Sequence, residues 1–453
     1  MENEPSKEAK RRLGFLPNKL TAEHKFLILL LLVKVVAFSG IATTAEVDTS
    51  SYFCFELSGW VDETRTPLYP LLMYLFSGAV SEYALHLVTV LQFIADCIAV
   101  VLFSKILQIV CVHPTIRKIA TAYYALSIST SVWSSIVLTE SFSMSFTVFY
   151  LFFLVSYLYK HKNGYLYAAI GVIGLSICLR PTFTLYLAIT LAFVLVYAIC
   201  RKIDKKALVA SILLMSFLVG GVSIYAAEFQ KRYDSYSLSN TLLYQQLAIL
   251  IRGDLCNTGD PEIISYICGE VEALEESNEY YLLNSLPELR IAHQVKAEFG
   301  NAKVSEFVGH NLKSNWLLFS INRVNAFLGA LSLPYGRTPQ LSPSVLGIPG
   351  ILLNGISYTL ISVPTFGFGV QIAFALFVLF VLETVKHKRI NFLYLGMWSH
   401  IIMIDVSSVF GTCSDYARTS VTAVPFIILG CAVLIDKIIE RTPRGNVNAE
   451  RNW

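Results

Sequence analysis

A chain of 453 residues that is 55% hydrophobic and only 15% charged lacks the polar surface a soluble protein of this length needs, which leaves a membrane protein with many spans. The net charge of +3 says little by itself, but the placement of the basic residues orients the spans. Nine cysteines without a C-x-x-C pair exclude a zinc ribbon and a thioredoxin-like site.

In chain order, residues 1–25 are polar and basic and precede a span too long for a signal peptide, so they read as a cytoplasmic tail before an uncleaved helix. Apolar runs able to cross roughly 30 Å of hydrocarbon predict spans at 26–43, 84–111, 119–138, 142–159, 165–180, 182–200, 207–227, 367–385, 391–410 and 421–439. Lys and Arg gather in alternate short loops: Arg117/Lys118, Lys160/Lys162, Arg201/Lys202/Lys205/Lys206, "KHKR" at 386–389, and Lys437/Arg441/Arg444. Ten spans with both termini cytoplasmic satisfy this bias at every turn. The organisation is then a module of seven spans at 26–227 with an outer loop at 44–83, a non-cytoplasmic loop at 228–366, three spans at 367–440 and a tail at 441–453. The apolar stretch 343–363 would put "KHKR" outside if it crossed, so it is assigned to an interfacial or re-entrant helix. The polar insertion 228–342 reads as helical at 262–283 and 285–325. The expected fold class is an all-α polytopic membrane protein of about ten transmembrane helices, with interfacial helices in the first outer loop.

The outer short loops hold few ionisable groups: Glu46, Asp48, Glu56, Asp62, Glu63 and Arg65 in the first, Glu140 in the second, Arg180 in the third, Asp415 and Arg418 in the last. The three arginines defy the orientation rule, and each has a proline nearby, in "RTP" at 65–67, "RP" at 180–181 and "RTSVTAVP" at 418–425. One such arginine reads equally well as a snorkelling residue or as one half of a helix-holding ion pair. Three on one face beside carboxylates point to an anion site with acid–base groups close by, and Arg suits forked recognition of phosphate.

These motifs in this order resemble the GT-C superfamily of polytopic glycosyltransferases, which includes protein mannosyltransferases and lipid A aminoarabinose transferases. "DTSSY" at 48–52 matches the family's D-x-x-x-Y after the first span, and "RTPLYPLLMYLFSG" at 65–78 its R-x-P-x-Y-P-like element. "LTES" with Glu140, "LRPTFTLYL" at 179–187 and "DYARTSVTAVPFIILG" at 415–430 match the later elements, whereas 228–366 matches none. The resemblance implies a glycosyltransferase moving a hexose or pentose from a polyprenyl-phosphate sugar to a glycan or lipid acceptor, with inversion. It makes Asp48 the general base and Arg65, Arg180 and Arg418 the donor-phosphate ligands. Glu140 would orient the acceptor, help hold an optional divalent ion with Asp48, or form a buried pair with an arginine. No other cofactor is required. The "DE" at 62–63 is an alternative acid pair; Asp62 and Glu63 read as a solvated interfacial face and are secondary candidates, with Tyr52 and Tyr69.

The RTPLYP element reads as the start of an interfacial helix, with prolines presetting its first turn and Tyr69 and Tyr74 at headgroup level. Arg65 would then orient Asp48, or anchor to lipid phosphates. Cys256 and Cys268 would form a disulfide if the outer compartment oxidises thiols; Cys54 and Cys413 read as readily as free. His293 and His310 have no metal-ligand spacing, the acidic run at 269–279 reads as a helix's polar face, and no Walker A, G-x-G-x-x-G or nucleic-acid motif occurs. Rival readings are a transporter or flippase, which should show a repeat between halves, a polymerase or ligase of lipid-linked glycans, and a non-catalytic subunit. The absence of an N-x-S/T sequon points to a bacterial inner membrane with a periplasmic active site.

Overall fold

The computed structural model describes residues 21–53, 60–79, 84–200, 203–276, 286–335, 348–360, 364–413 and 416–441. Both predicted tails, apart from a few residues, lie outside these ranges, as do Cys54, Glu56, Arg201, Lys202, Asp415 and Arg444. The described chain is helical: α1 (Ala22–Ser39), α2 (Leu68–Ala79), α3 (Ala84–Val110), α4 (Pro114–Leu126), α5 (Glu140–Lys160), α6 (Asn163–Leu179), α7 (Thr184–Ile199) and α8 (Lys205–Tyr233). There follow α9 (Thr241–Arg252), α10 (Pro261–Glu276), α11 (Pro287–Ser314), α12 (Trp316–Ala330), α13 (Ile348–Leu360), α14 (Phe366–His387), α15 (Phe392–Gly411) and α16 (Val424–Arg441). Seven helical stretches among the described residues are long and apolar enough to cross a membrane. The protein is an all-α polytopic membrane protein, the architecture in which every backbone group exposed to lipid is satisfied within its own helix.

α5 is the central helix. Its most apolar window is 72% buried, against 17% for that of α8. α5 packs between α3 and α6, and Val148, Leu151 and Val155 interlock there with Phe103, Leu166 and Ile170 in the main apolar core. It starts with Glu140, whose charge suits the positive end of the helix dipole, and stops where His161 turns left-handed at φ 52°.

The span expected at 119–138 is broken. α4 ends at Leu126, and a short helix Ile128–Ser131 and a 3₁₀ turn Val132–Ser135 follow. The cause is the run "SISTSVWSS": Thr130 Oγ1 donates to Tyr124 O and Ser127 O, Ser131 Oγ to Ser127 O, Ser134 Oγ to Ser131 O and Ser135 Oγ to Val132 O. Hydroxyls bonding back to nearby carbonyls compete with the regular helical ladder. α8 continues six residues past the expected end at 227, to Tyr233, and the insertion contains α9, which was not anticipated.

α1 carries a buried charge that hydropathy alone passes over. Lys34 reaches Asp96 of α3 at 2.7 Å and donates to Ala125 O at 2.7 Å, joining α1, α3 and α4. α13 lies on α1 where Gly40 meets Gly350; a Cβ on Gly40 would stand 2.2 Å from the Gly350 carbonyl carbon, so only glycine permits this approach. Asn354 Nδ2 seals the crossing by donating to Ala37 O at 2.7 Å. At 13 residues, α13 is about 20 Å long. The helices α9 to α11 bury a second core of Leu247, Ile251, Ile263, Ile291, Val295 and Phe307. Cys256 packs against this core while Cys268 is exposed, and both are free thiols, so the disulfide considered from sequence is not formed.

Candidate active site

The five ionisable residues singled out from short loops converge. Asp48 lies in the 3₁₀ turn Val47–Tyr52. A parallel bridge holds that turn to the lead-in of α5, with Thr44 N donating to Ser135 O and Val137 N to Thr44 O, both at 3.0 Å. Thr49 Oγ1 adds a bond to Val137 O at 3.0 Å. Glu140 opens α5 two residues further on from Leu138 and is 1% exposed. Arg180 caps α6 in extended backbone ahead of Pro181. Arg418 sits in the short helix Tyr416–Thr419 before α16.

Arg418 is the hub. Its Nε donates to Glu140 Oε1 at 2.9 Å and its Nη2 to Asp48 Oδ2. Arg65 Nη2 reaches Asp48 Oδ1 at 3.1 Å, and Arg180 Nη1 lies 3.6 Å from Glu140 Oε1. Exposure falls from rim to floor: the Asp48 side chain is 33% exposed and that of Glu140 1%. Glu140 Oε2 and Arg180 Nη1 are buried without a hydrogen-bond partner among the described residues. A buried polar atom left without a partner costs stability, so the floor has two places for a polar ligand or water. Burial works to raise the Asp48 carboxyl, but the charges of Arg418 and Arg65 and their hydrogen bonds outweigh it and hold the carboxyl below its ordinary value.

Arg65 is held as the sequence reading anticipated, beside the acid. Its Nε donates to Ser51 Oγ at 2.7 Å, and its guanidinium stacks over the Tyr52 ring at 4.7 Å. Tyr52 is thus a buried platform, meeting Tyr69 edge to face at 4.7 Å. Tyr69 departs from its expected headgroup position. It is fully buried because its hydroxyl donates to Gln92 Oε1 at 2.6 Å, while Tyr74 is 40% exposed. Gln92 Nε2 in turn donates to Ile136 O at 2.8 Å and Trp133 O at 3.1 Å, strapping α2 to the turn that leads to Glu140. Gln92→Leu orphans the buried Tyr69 hydroxyl, while Ile136 O and Trp133 O keep their bonds from Leu138 N and Ile136 N, so it should destabilise the detergent-solubilised protein by about 2 kcal/mol. Unchanged thermal unfolding would remove Gln92 from this account.

Asp62 and Glu63 do not form a solvated face. Asp62 Oδ1 accepts from Thr64 N and Arg65 N, both at 2.8 Å, fixing the turn that presents Arg65. Glu63 is a clamp on the insertion, accepting from Tyr244 Oη at 2.6 Å, Lys296 Nζ at 2.9 Å, Asn301 Nδ2 at 3.1 Å and Asn240 Nδ2 at 3.2 Å. Partial burial works to raise its carboxyl, but these donors, Tyr244 first, bring it from 4.5 down to about 2. A depressed carboxyl stabilises the folded state above its unfolded value and loses that contribution as pH falls towards the folded one. Wild type should therefore melt above Glu63→Gln at pH 6, with the gap closing between pH ~4.5 and ~2. A gap independent of pH would contradict the clamp.

The insertion also holds Cys413, five residues ahead of Arg418. Arg252 bonds Glu288 through two nitrogens at 2.8 and 3.0 Å and donates to Cys413 O, while Gln245 Oε1 accepts from Cys413 N at 2.8 Å. None of these supports was expected from sequence, although Gln92 and Lys34 were visible as polar residues inside apolar runs. The clamp partners carried no local signal. Among the described side chains that pair in the cluster, three guanidiniums meet two carboxylates, so the cluster suits an anion. Arg418 bridges Asp48 and Glu140, the pair considered for a divalent ion, and no group of three metal-ligating side chains occurs among the described residues.

No family model matches the chain, and no curated protein matches it. Among solved structures it is similar to the archaeal oligosaccharyltransferase AglB from Archaeoglobus fulgidus, in complex with an inhibitory peptide and a dolichol-phosphate. The two share 14% sequence identity with a TM-score of 0.47, over 95% of this chain and 52% of that one. The chain thus spans about half the length of AglB.

Proposed function

We propose that the protein is a membrane glycosyltransferase of the GT-C type that moves a sugar from a polyprenyl-phosphate donor to a glycan or lipid acceptor, with inversion. The observation that carries this reading is the convergence of Asp48, Arg65, Glu140, Arg180 and Arg418 from five chain segments into one ion-pair cluster with excess positive charge. A lipid-linked sugar places its phosphodiester at the membrane surface, where such a cluster can receive it.

In the proposed step Asp48, the more exposed carboxylate, takes the proton of the acceptor hydroxyl as general base. The acceptor oxygen forms a bond to the anomeric carbon from the face opposite the phosphate. The bond from that carbon to the phosphate oxygen breaks, and polyprenyl phosphate leaves with the electron pair. Arg180 and Arg418 stabilise the charge that grows on it, and buried Glu140 positions both. In the free protein two arginines mask Asp48 as a weak base. A donor phosphate competes for those arginines, so its arrival raises the basicity of Asp48 and couples proton removal to an occupied donor site.

The topology that goes with this reading puts both termini in the cytoplasm and the cluster in the periplasm of a bacterial inner membrane. The test is incubation of the purified protein with a panel of polyprenyl-phosphate sugars, following donor consumption and polyprenyl phosphate release. Turnover of at least one donor supports the reading, and no turnover of any donor with glycan and lipid acceptors present contradicts it.

A further inference from the structure

The end of the bundle opposite the cluster holds a separate cavity. α5 runs 21 residues from Glu140 to Lys160, about 30 Å, and α15 and α16 join the same two levels. At the far level a cavity of about 770 Å³ opens among the helix ends. Val110, Leu158, Phe392, Leu393 and Val433 give it apolar walls. Three carboxylates also line it, and each is engaged. Asp436 accepts from Val112 N at 2.8 Å and from His113 N at 2.9 Å, Glu383 accepts from Asn391 Nδ2 at 2.8 Å, and Glu440 pairs with Lys437 at 3.2 Å.

Arg389, on the loop between α14 and α15, lines the same cavity. It is exposed and forms no ion pair or hydrogen bond among the described residues. Lys386, His387 and Lys388 stand exposed beside it. Next to the lining residues Glu383 and His387, α14 exposes Leu382 (56%) and Val385 (73%); next to Asp436 and Lys437, α16 exposes Ile435 (45%) and Ile438 (67%). Apolar side chains exposed on spanning helices face lipid, so acyl chains flank a cavity in which Arg389 is the charged lining group without a hydrogen-bond or ion-pair partner among the described residues.

We propose that this cavity is a binding site for the headgroup of an anionic phospholipid. Its phosphate pairs with Arg389, its glycerol region rests on the apolar walls, and its chains continue along α14 and α16. The site lies a membrane thickness away from the cluster and does not depend on the activity proposed for it.

Native mass spectrometry of the full chain in detergent, with phosphatidylglycerol or phosphatidylcholine added at equal concentration, tests the assignment. Phosphatidylglycerol should be retained in preference. Arg389→Ala should lower its occupancy roughly fivefold, the value of one basic residue at a lipid surface. Val112→Trp, which narrows the cavity without removing a charge, should lower it comparably. Both variants should melt as wild type does, which separates lost binding from lost folding. Equal retention of the two lipids, or wild-type retention by Arg389→Ala, would overturn the proposal. Loss in Arg389→Ala alone would make it a surface contact instead of a cavity site. Displacement of the lipid by inorganic phosphate would assign the cavity to a soluble phosphate and overturn the lipid assignment.

Discussion

Asp48→Asn is expected to lower donor turnover by about 10²–10⁴-fold, the range for loss of a positioned general base. The substitution keeps the side chain's shape and removes its charge. Arg65 keeps its stack on Tyr52 and its bond to Ser51, and Arg418 keeps Glu140, so the fold should persist. Two guanidiniums released from a carboxylate are then free for the phosphate, and the donor KM should fall or hold while kcat collapses. A residue that only held the loops together would give neither this split nor a normally melting protein. Wild-type turnover in Asp48→Asn would exclude it as the base. Asp62 and Glu63 are poor substitutes, because their oxygens already accept from a turn and from the insertion.

Arg418→Ala should have the largest combined effect. It strips both carboxylates of their shared cation and leaves Glu140, 1% exposed, with Arg180 at 3.6 Å. Breaking a buried pair by removing one partner costs about 3–5 kcal/mol, and the lower figure applies because Arg418 keeps a fifth of its side chain in solvent. Turnover should fall by about 10²–10³-fold, as when one stabiliser of developing charge is lost. Adding Glu140→Gln to Arg418→Ala separates the two effects. The double variant should regain part of the melting temperature, since Glu140 no longer leaves a buried charge unpaired while Arg180, 14% exposed, loses its carboxylate, and none of the activity, since the phosphate has lost its ligand. Recovery of turnover together with stability would reduce Arg418 to a structural residue.

Much of this site was legible in the sequence because the arginines break a rule. Arg65, Arg180 and Arg418 fall in loops that the Lys and Arg pattern assigns to the outer side, where basic residues are disfavoured, and the structure brings all three to Asp48 and Glu140. Helix positions were legible from the apolar runs. The break after Leu126 was not, since hydropathy does not register serine and threonine hydroxyls turning back on their own backbone. Tyr69 was misplaced for a related reason: an amphipathic ring beside a membrane suits headgroups equally well, and its actual site depends on Gln92, 23 residues away. The Glu63 clamp joins residues as much as 238 apart, and nothing local in "DETRTP" encodes such partners. Glu140 shows a limit of another kind, because residue type marks a carboxylate as available chemistry while burial decides whether an acceptor can reach it.

The central claim is that the arginine cluster holds a lipid phosphate. Equilibrium binding of polyprenyl monophosphate, compared with the matching polyprenol, measures this directly in wild type and in Arg180→Gln/Arg418→Gln. The account predicts that the phosphate form binds wild type at least about tenfold more tightly, a modest return for two charge-assisted contacts, and that the double variant abolishes the difference. Equal binding of the two lipids by wild type, or a preference for phosphate that survives in the double variant, would contradict it.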